Sequence, residues 1–427
     1  MREELLHHLW KNISPPLLNL TTTSGETVDI ISPGYYNEHA GPDFLEAHLV
    51  INEQAWVGSI EIHIKSSDWN LHNHHKDHRY NNVILHLVWN EDVEINYLNG
   101  KSIPTVELKN FISLNEILKK STFFKSKRDH FIVCQNDIAL IEPFKILSWL
   151  NRLYYERLEE KCRLINELLL NTKYDWEAVL FILLLRNFGL YQNKEIFYQL
   201  SKVIGYAIIS RLQDNIIKME SALFGYSGLL EKPFAKDFYW KSLNDEFTFL
   251  KKKFDFPERI IQKPYFFRLR PASFPTVRLS QFAHLYHTNP KLFSRIISID
   301  NKNDLYKLFS ISPGEYWKTH YVFGKKSLAK NEHKLSRRFI DSLLINSIIP
   351  LVFCYSKWLG EPLKKGFHEI INEIKSEENK ITRGYRACGI HSKSALTSQA
   401  LIHLYNNYCA KHRCLECVIG DSILNGK

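Results

Sequence analysis

Residues Gly41–Trp89 read GPDFLEAHLVINEQAWVGSIEIHIKSSDWNLHNHHKDHRYNNVILHLVW. Three runs inside this stretch, Phe44–Ile51, Trp56–Lys65 and Asn82–Trp89, are rich in β-branched and aromatic residues and read as strands. A strand sends alternate side chains to one face. Glu61, His63 and Lys65 therefore share one face of the second run, and Ile60, Ile62 and Ile64 share the other. The isoleucines belong in a core. The opposite face then carries a carboxylate, an imidazole and an ammonium in a row, which a purely structural strand rarely needs. His86, alternating with apolar residues in VILHLVW, falls on the polar face or at a satisfied core position.

The spacing Pro42-Asp43, a hairpin-length gap, then Glu61-Ile62-His63 resembles the PD-(D/E)XK nuclease pattern. That resemblance implies that Asp43 and Glu61 hold Mg²⁺ or Mn²⁺, with the Ile62 carbonyl completing the inner shell. The pattern places a lysine two residues after the glutamate, and here His63 stands in its place. Lys65, one step on along the same face, is the other candidate to orient water and offset phosphate charge. In the nuclease reading His72, His74, His75 and Arg79 line a phosphate-binding cleft. The whole chain is also similar to an uncharacterised bacterial family known only as a domain of unknown function. The stretches that carry this likeness are GPDF, GSIEIHIKSSDW, RLRPASFPTVRLSQ and CLECVIG. It implies no activity.

The loop between the second and third strands, SSDWNLHNHHKDHRYNN, holds His72, His74, His75 and His78 beside Asp68 and Asp77. Imidazole suits zinc and other transition metals. His63, His72, His74 and His75 therefore also fit a histidine-ligated metal hydrolase of a small substrate. The alternative is a polar loop whose histidines only hydrogen-bond. Glu38, just before the Pro-Asp, is one more carboxylate near the site or a solvated loop residue.

The 427 residues are 44% hydrophobic and 24% charged, ordinary globular values that permit two or three domains and a sizeable core. A net charge of +10 favours phosphate-rich partners such as nucleic acid, bound with or without cleavage. No signal-peptide run is visible, and the best apolar stretch, Ala178–Leu185, is cut short by Arg186. These features predict a cytoplasmic protein with reduced thiols and no membrane contact.

Outward from the strands, Glu3–Lys11 reads as a helix stopped by Pro15-Pro16, and Thr27–Ser32 as a strand. Glu91–Leu98 and Lys101–Leu108 read as a hairpin turning at Asn99-Gly100. Lys119–Arg128 mixes basic and aromatic residues, as a linker or a nucleic-acid contact would. From Ile141 onward the apolar spacing is helical, with Asp175 as the N-cap of a buried helix. Pro350 is expected to kink the last apolar helix, Lys334–Leu359. Arg268, Arg270 and Arg278, near Pro271 and Pro275, suit either phosphate contacts or acidic partners between helices.

Cys409, Cys414 and Cys417 form C-x4-C-x2-C, with Cys388 21 residues before the first. Four thiolates suit zinc or an iron–sulfur cluster. Cys388, Cys134 and His412 all qualify as the fourth ligand, with Cys388 preferred. Cysteines also pack as small buried hydrophobes.

The sequence thus predicts an α+β chain. A small mixed-sheet, nuclease-like domain spans residues 1–120, and a larger helical domain with a Cys-rich C-terminal tail spans 130–427. The expected function is a metal-dependent phosphodiesterase on nucleic acid. Its catalytic residues would be Asp43, Glu61, His63 and Lys65, and its metal ligands Asp43, Glu61, Cys388, Cys409, Cys414 and Cys417.

Overall fold

A computed structural model describes residues 3–11, 20–37, 40–97, 100–112, 130–231, 237–254, 262–328 and 330–425. Glu38, Asn99 and Lys119–Arg128 lie outside the described residues. The chain divides into two compact units. The first comprises Met1–Trp149 with Ala387–Ile390 and Leu404–Lys427, and the second Leu150–Arg386 with His391–His403. The Cys-rich tail, assigned from sequence to the helical domain, packs instead with the N-terminal unit. Contacts through the fold decide this, and they are invisible in linear order.

The N-terminal unit is built on one mixed sheet. Its elements are α1 (Glu3–Lys11), β1 (Leu20–Thr21), β2 (Thr27–Ser32), β3 (Tyr35–Tyr36), β4 (Phe44–Ile51), β5 (Gln54–Lys65), α2 (Asp68–Leu71), β6 (Val83–Asn90) and β7 (Thr105–Glu107). The sheet order is β1-β2-β4-β5-β6-β7, with β3 paired to β4 off this path. β4 and β5 form an antiparallel hairpin whose turn residues, Asn52 and Glu53, both have positive φ. Two such residues give the turn a twist that matches the strands. β5 and β6 run parallel, as do β6 and β7. Parallel neighbours need a crossover, and here it is the histidine-rich segment with α2.

The expected second hairpin survives only as an antiparallel bridge between Asn96 and Ser102. The residues after it, Thr105–Glu107, turn away and pair with β6 instead.

Ile60 and Ile62 of β5 point into a core with Leu5, Leu6 and Trp10 of α1 and Leu49, Leu85 and Leu87 of the sheet. Burial of each such side chain contributes about 1.5–3 kcal/mol. Trp10 Nε1 donates to the Pro33 carbonyl at 3.0 Å, which fixes the helix along its length. Across the sheet, Trp69, Tyr80, Val83, Ile95 and Ile103 form a second, smaller cluster over the polar face of β5. Both faces of the strand are therefore covered. Gly34 (φ +84°) passes so close to β4 that a Cβ there would sit 2.6 Å from the Leu45 carbonyl oxygen. Any other residue would push β3 off the end of β4 that carries Asp43.

The second unit is mainly helical. Asp175 caps the buried helix Trp176–Phe188 by accepting from the Ala178 N–H at 3.1 Å, as its spacing predicts. The unit also holds a two-stranded hairpin, His320–Val322 with Lys325–Lys326, which its sequence does not announce. Arg278 is buried, with its guanidinium over the Phe339 ring at 3.9 Å and bonded to Gln281. Arg337–Trp358 is long and apolar enough to cross a membrane, which no stretch was expected to be. Some 72% of it is buried in the protein, as in a core helix. Its middle, Leu344–Ile348, is a π-helical turn directly ahead of Pro350, where a kink was expected.

Helix Ile216–Tyr226 buries the carboxyl of Glu220, which accepts from Tyr239 Oη at 2.6 Å and Ser280 Oγ at 2.5 Å. Burial pushes this carboxyl up to about 7, although both hydrogen bonds favour the ionised form. The folded state therefore holds a proton that the unfolded chain gives up above about pH 4.5. Its contribution, roughly 3 kcal/mol, is present at low pH and is lost as pH rises to about 7. Urea denaturation of wild type and Glu220→Gln across pH 4.5–8 should show the wild type losing ground to the variant between these limits. A pH-independent difference would remove Glu220 as the cause.

Candidate functional site

The site forms where β4 begins opposite the middle of β5. Phe44 pairs with Ile60, so Asp43 stands across from Glu61. The two residues brace each other reciprocally. The Asp43 N–H donates to Glu61 Oε2 at 3.1 Å, and the Ile62 N–H donates to Asp43 Oδ2 at 2.9 Å. Each carboxylate thus takes a backbone donor from the other's strand and is held in one orientation. Asp43 and Glu61 thus stand side by side across the β4–β5 pair.

Two groups of ligand atoms flank this pair. In the first, α1 supplies Glu3 and His7, four residues apart on one face, with His7 Nε2 3.2 Å from Asp43 Oδ2. In the second, Glu61 Oε1 faces His74 Nε2 at 3.1 Å and His63 Nε2 at 3.5 Å, and His72 Nδ1 lies 3.3 Å from His63 Nε2. Among the described residues, Glu3/His7/Asp43 and His63/His72/His74 are the two sets that each offer three ligand atoms within 4.8 Å of one another. Glu61 turns Oε1 to the histidines and accepts the Asp43 N–H at Oε2.

Aromatic packing holds the histidines. His74 stacks on Tyr80 with ring centroids 3.9 Å apart, and Trp69 packs edge-on against His74 and at a tilt against His86. Behind His63, His86 Nε2 lies 2.8 Å from His63 Nδ1, which leaves His63 Nε2 directed at Glu61. An outer partner of this kind fixes tautomer and ring orientation in metal sites.

Burial dominates the electrostatics of the site. Burial first, and then the Asp43 charge, pushes the Glu61 carboxyl up to about 9. Burial, then His86 and His74, pulls His63 down to about 2, and burial then His74 takes His86 to about 3. His74 is also lowered, chiefly by burial. His7 moves the other way: burial opposes its charged form, but Asp43 outweighs that and raises it. Crowded carboxylates beside neutral imidazoles are the donor set a divalent or transition-metal cation requires, so these residues fit one.

The remaining candidates separate. Lys65 is exposed at the end of β5, with its backbone N–H on Asp68 Oδ2 at 3.0 Å. The structure does not bring its ammonium into the His/carboxylate cluster. His75 lies outside both triads, and the exposed Arg79 folds back on Asp77, its Nε 3.0 Å from Oδ1. His86 resolves to the buried polar position. Sequence reasoning missed Glu3 and His7. Their signal was an i, i+4 pair on α1, on the face that Leu5 and Leu9 leave open, but nothing in linear order ties that helix to Asp43.

The cysteines form a separate group in the N-terminal unit. Burial raises the Cys134 thiol strongly, and Cys409, Cys417 and Cys414 reinforce the shift, so all three lie within its electrostatic reach. Cys388 is raised by burial alone. Cys134, the alternative fourth ligand, and Cys388, the preferred one, both belong to this unit. Among the described residues no three cysteine sulfurs lie within 4.8 Å of one another.

The family model for Protein of unknown function (DUF2851) matches residues 3–380. The chain belongs to this family. The DUF2851 match takes in both ligand triads and stops short of Cys388, Cys409, Cys414 and Cys417. No curated protein and no solved structure matches.

Because Glu61 must give up its proton to bind a cation, metal uptake at pH 7 should release protons, and affinity should climb as pH rises toward 9. Calorimetric titration with Mn²⁺ or Zn²⁺ in buffers of different ionisation enthalpy measures this. Glu61→Gln should abolish the proton release, and release unchanged in that variant would place the coupled proton elsewhere.

Proposed function

We propose that the N-terminal unit is a metal-dependent hydrolase of phosphodiester bonds, with nucleic acid as its substrate. The observation that carries this reading is the braced Asp43–Glu61 pair with a ligand triad on either side. The position of Asp43 at the head of one strand and Glu61 within the next is also the order of the nuclease pattern. The net charge of +10 suits a polyanionic substrate.

Mg²⁺ or Mn²⁺ would be held by Asp43, Glu61, Glu3 and His7, and the three-histidine set suits Zn²⁺ or Mn²⁺. Such a cation lowers the pKa of water and offsets charge on phosphate oxygens. The protein's own groups do the positioning. His86 holds the His63 ring, and Tyr80 and Trp69 hold His74. Asp43 holds His7 with Nε2 turned to the same cation position. The exposed Lys65 is available to a phosphate approaching the rim.

The His63/His72/His74 set, which contains no carboxylate, favours a second reading: a histidine-ligated hydrolase of small phosphate esters. Substrate choice separates the two.

Protein loaded with Mn²⁺ or Zn²⁺ should cleave labelled DNA or RNA and lose activity in EDTA. Asp43→Asn and Glu61→Gln keep an acceptor for the bracing N–H groups and should nonetheless abolish turnover. His86→Ala should cost about 10- to 100-fold, as loss of an outer partner does. Turnover confined to small esters would support the second reading. Nucleic-acid binding without cleavage under every metal, unchanged in Asp43→Asn, would leave a binding protein.

The thiols of Cys134, Cys409, Cys414 and Cys417 are the proposed ligands for zinc or an iron–sulfur cluster. One zinc draws four sulfurs to roughly 4 Å of each other, closer than the spacing here, which favours the larger cluster. Anaerobically purified protein should carry iron and sulfide. Cys134→Ser should lower that content and Cys388→Ser should not. Equal content in both variants would return these residues to core packing.

A further inference from the structure

The helical unit contains a small cavity of about 220 Å³ with an unusual lining. Lys161 comes from helix Pro143–Asn171, Arg186 and Asn187 from Trp176–Phe188, and Lys194 from Leu190–Ile204. Asn346 of the π turn Leu344–Ile348 and Pro350 close it. Three cationic side chains from three helices converge here, and no carboxylate lines the space.

No carboxylate accepts a hydrogen bond from them within the lining. Lys161 Nζ lies 3.2 Å from Asn346 Oδ1 and 3.4 Å from its carbonyl, both neutral acceptors. That carbonyl lacks the usual donor four residues on, because residue 350 is proline and has no N–H. Arg186 Nε is buried with no hydrogen-bond partner, although its guanidinium rests 5.2 Å from the Tyr198 ring centroid. The acidic groups nearby stay outside the lining: Glu195 Oε1 bonds to Gln199, and Glu160 is exposed. A buried guanidinium N–H without an acceptor costs about 1–3 kcal/mol or more, so a resident acceptor is the economical explanation. A π turn inside a helix is frequently a functional feature.

We propose that this cavity is an anion site for a phosphate group, with Lys161, Arg186 and Lys194 as its charged ligands and Asn346 positioning Lys161. Arg186 offers the forked donors that match a tetrahedral oxyanion, and the lysines supply point charges around it. The volume is below the 300–1,000 Å³ typical of sites for drug-sized ligands, so it takes the phosphate and few further atoms. The ligand is therefore free phosphate or the phosphate end of a small monoester. Burial and the charges of Arg157, Lys194 and Arg186 pull the Lys161 ammonium well down, and an anion between them relieves that pressure. This site is independent of the metal centre, since it lies wholly in the other unit and needs no turnover.

The test is binding to the full chain. Inorganic phosphate, titrated calorimetrically and by thermal shift against sodium chloride of matched ionic strength, should bind saturably and raise the melting temperature. Arg186→Gln and Lys161→Met should each weaken binding about tenfold to a hundredfold, the worth of a charge-assisted hydrogen bond. Lys218→Gln, on a helix that does not line the cavity, should leave it unchanged. Arg186→Lys, which keeps the charge and loses the fork, should fall between, and it serves if the glutamine variant does not fold. A nucleoside monophosphate that competes with phosphate assigns the monoester, and failure to compete assigns the free ion. A thermal shift equal to that in chloride, or phosphate binding unaltered in both Arg186→Lys and Lys161→Met, overturns the proposal.

Discussion

The pair of hydrogen bonds that ties Asp43 to Glu61 and to the Ile62 N–H is the constraint on which the N-terminal unit turns. The pairing of Phe44 with Ile60 sets the two residues opposite one another, and each side chain then takes the backbone N–H at the other's strand. Two carboxylates would ordinarily repel at this separation. Here each gains a directed donor, which offsets part of that repulsion without neutralising it. Burial, and then the Asp43 charge, push the Glu61 carboxyl up to about 9.

The second organising fact is that the polar face of β5 is buried. A half-buried strand ordinarily turns its polar side to water, and sequence alternation alone gives that expectation. The crossover from β5 to β6 lays its histidines and Trp69 over this face, so Glu61 and His63 are as enclosed as Ile60 and Ile62. Burial favours the neutral form of His63, His74 and His86, and it makes any unpaired carboxylate expensive. The same covering layer that excludes water therefore sets the protonation states. Parallel pairing is the physical cause, because a tight turn cannot join parallel strands and a long segment must pass over one face.

The helical unit handles buried charge in two different ways. Glu220 is satisfied by hydroxyls and is stable as an acid, so its cost is met internally. Lys161, Arg186 and Lys194 are not met by any acidic lining residue, and a proline and a π turn hold their surroundings open.

The sequence by itself determined the local elements. Phe44–Ile51, Thr27–Ser32 and Glu3–Lys11 stand as their patterns predict, and Asp175 caps its helix, because apolar period and cap chemistry act over a few residues. The Pro-Asp and Glu-x-His spacing also brought Asp43 and Glu61 together, since a hairpin register is a local matter. Only the tertiary structure decided what surrounds them. It brought Glu3 and His7 to Asp43 through the packing of α1 on the sheet, and sent Lys65 to the rim. It turned His86 inward to His63 and placed the terminal cysteines in the same unit as Cys134. Each of these is a contact between elements far apart in sequence. Such contacts are fixed by which apolar faces are buried together, and the residues that result from them carry no mark in linear order.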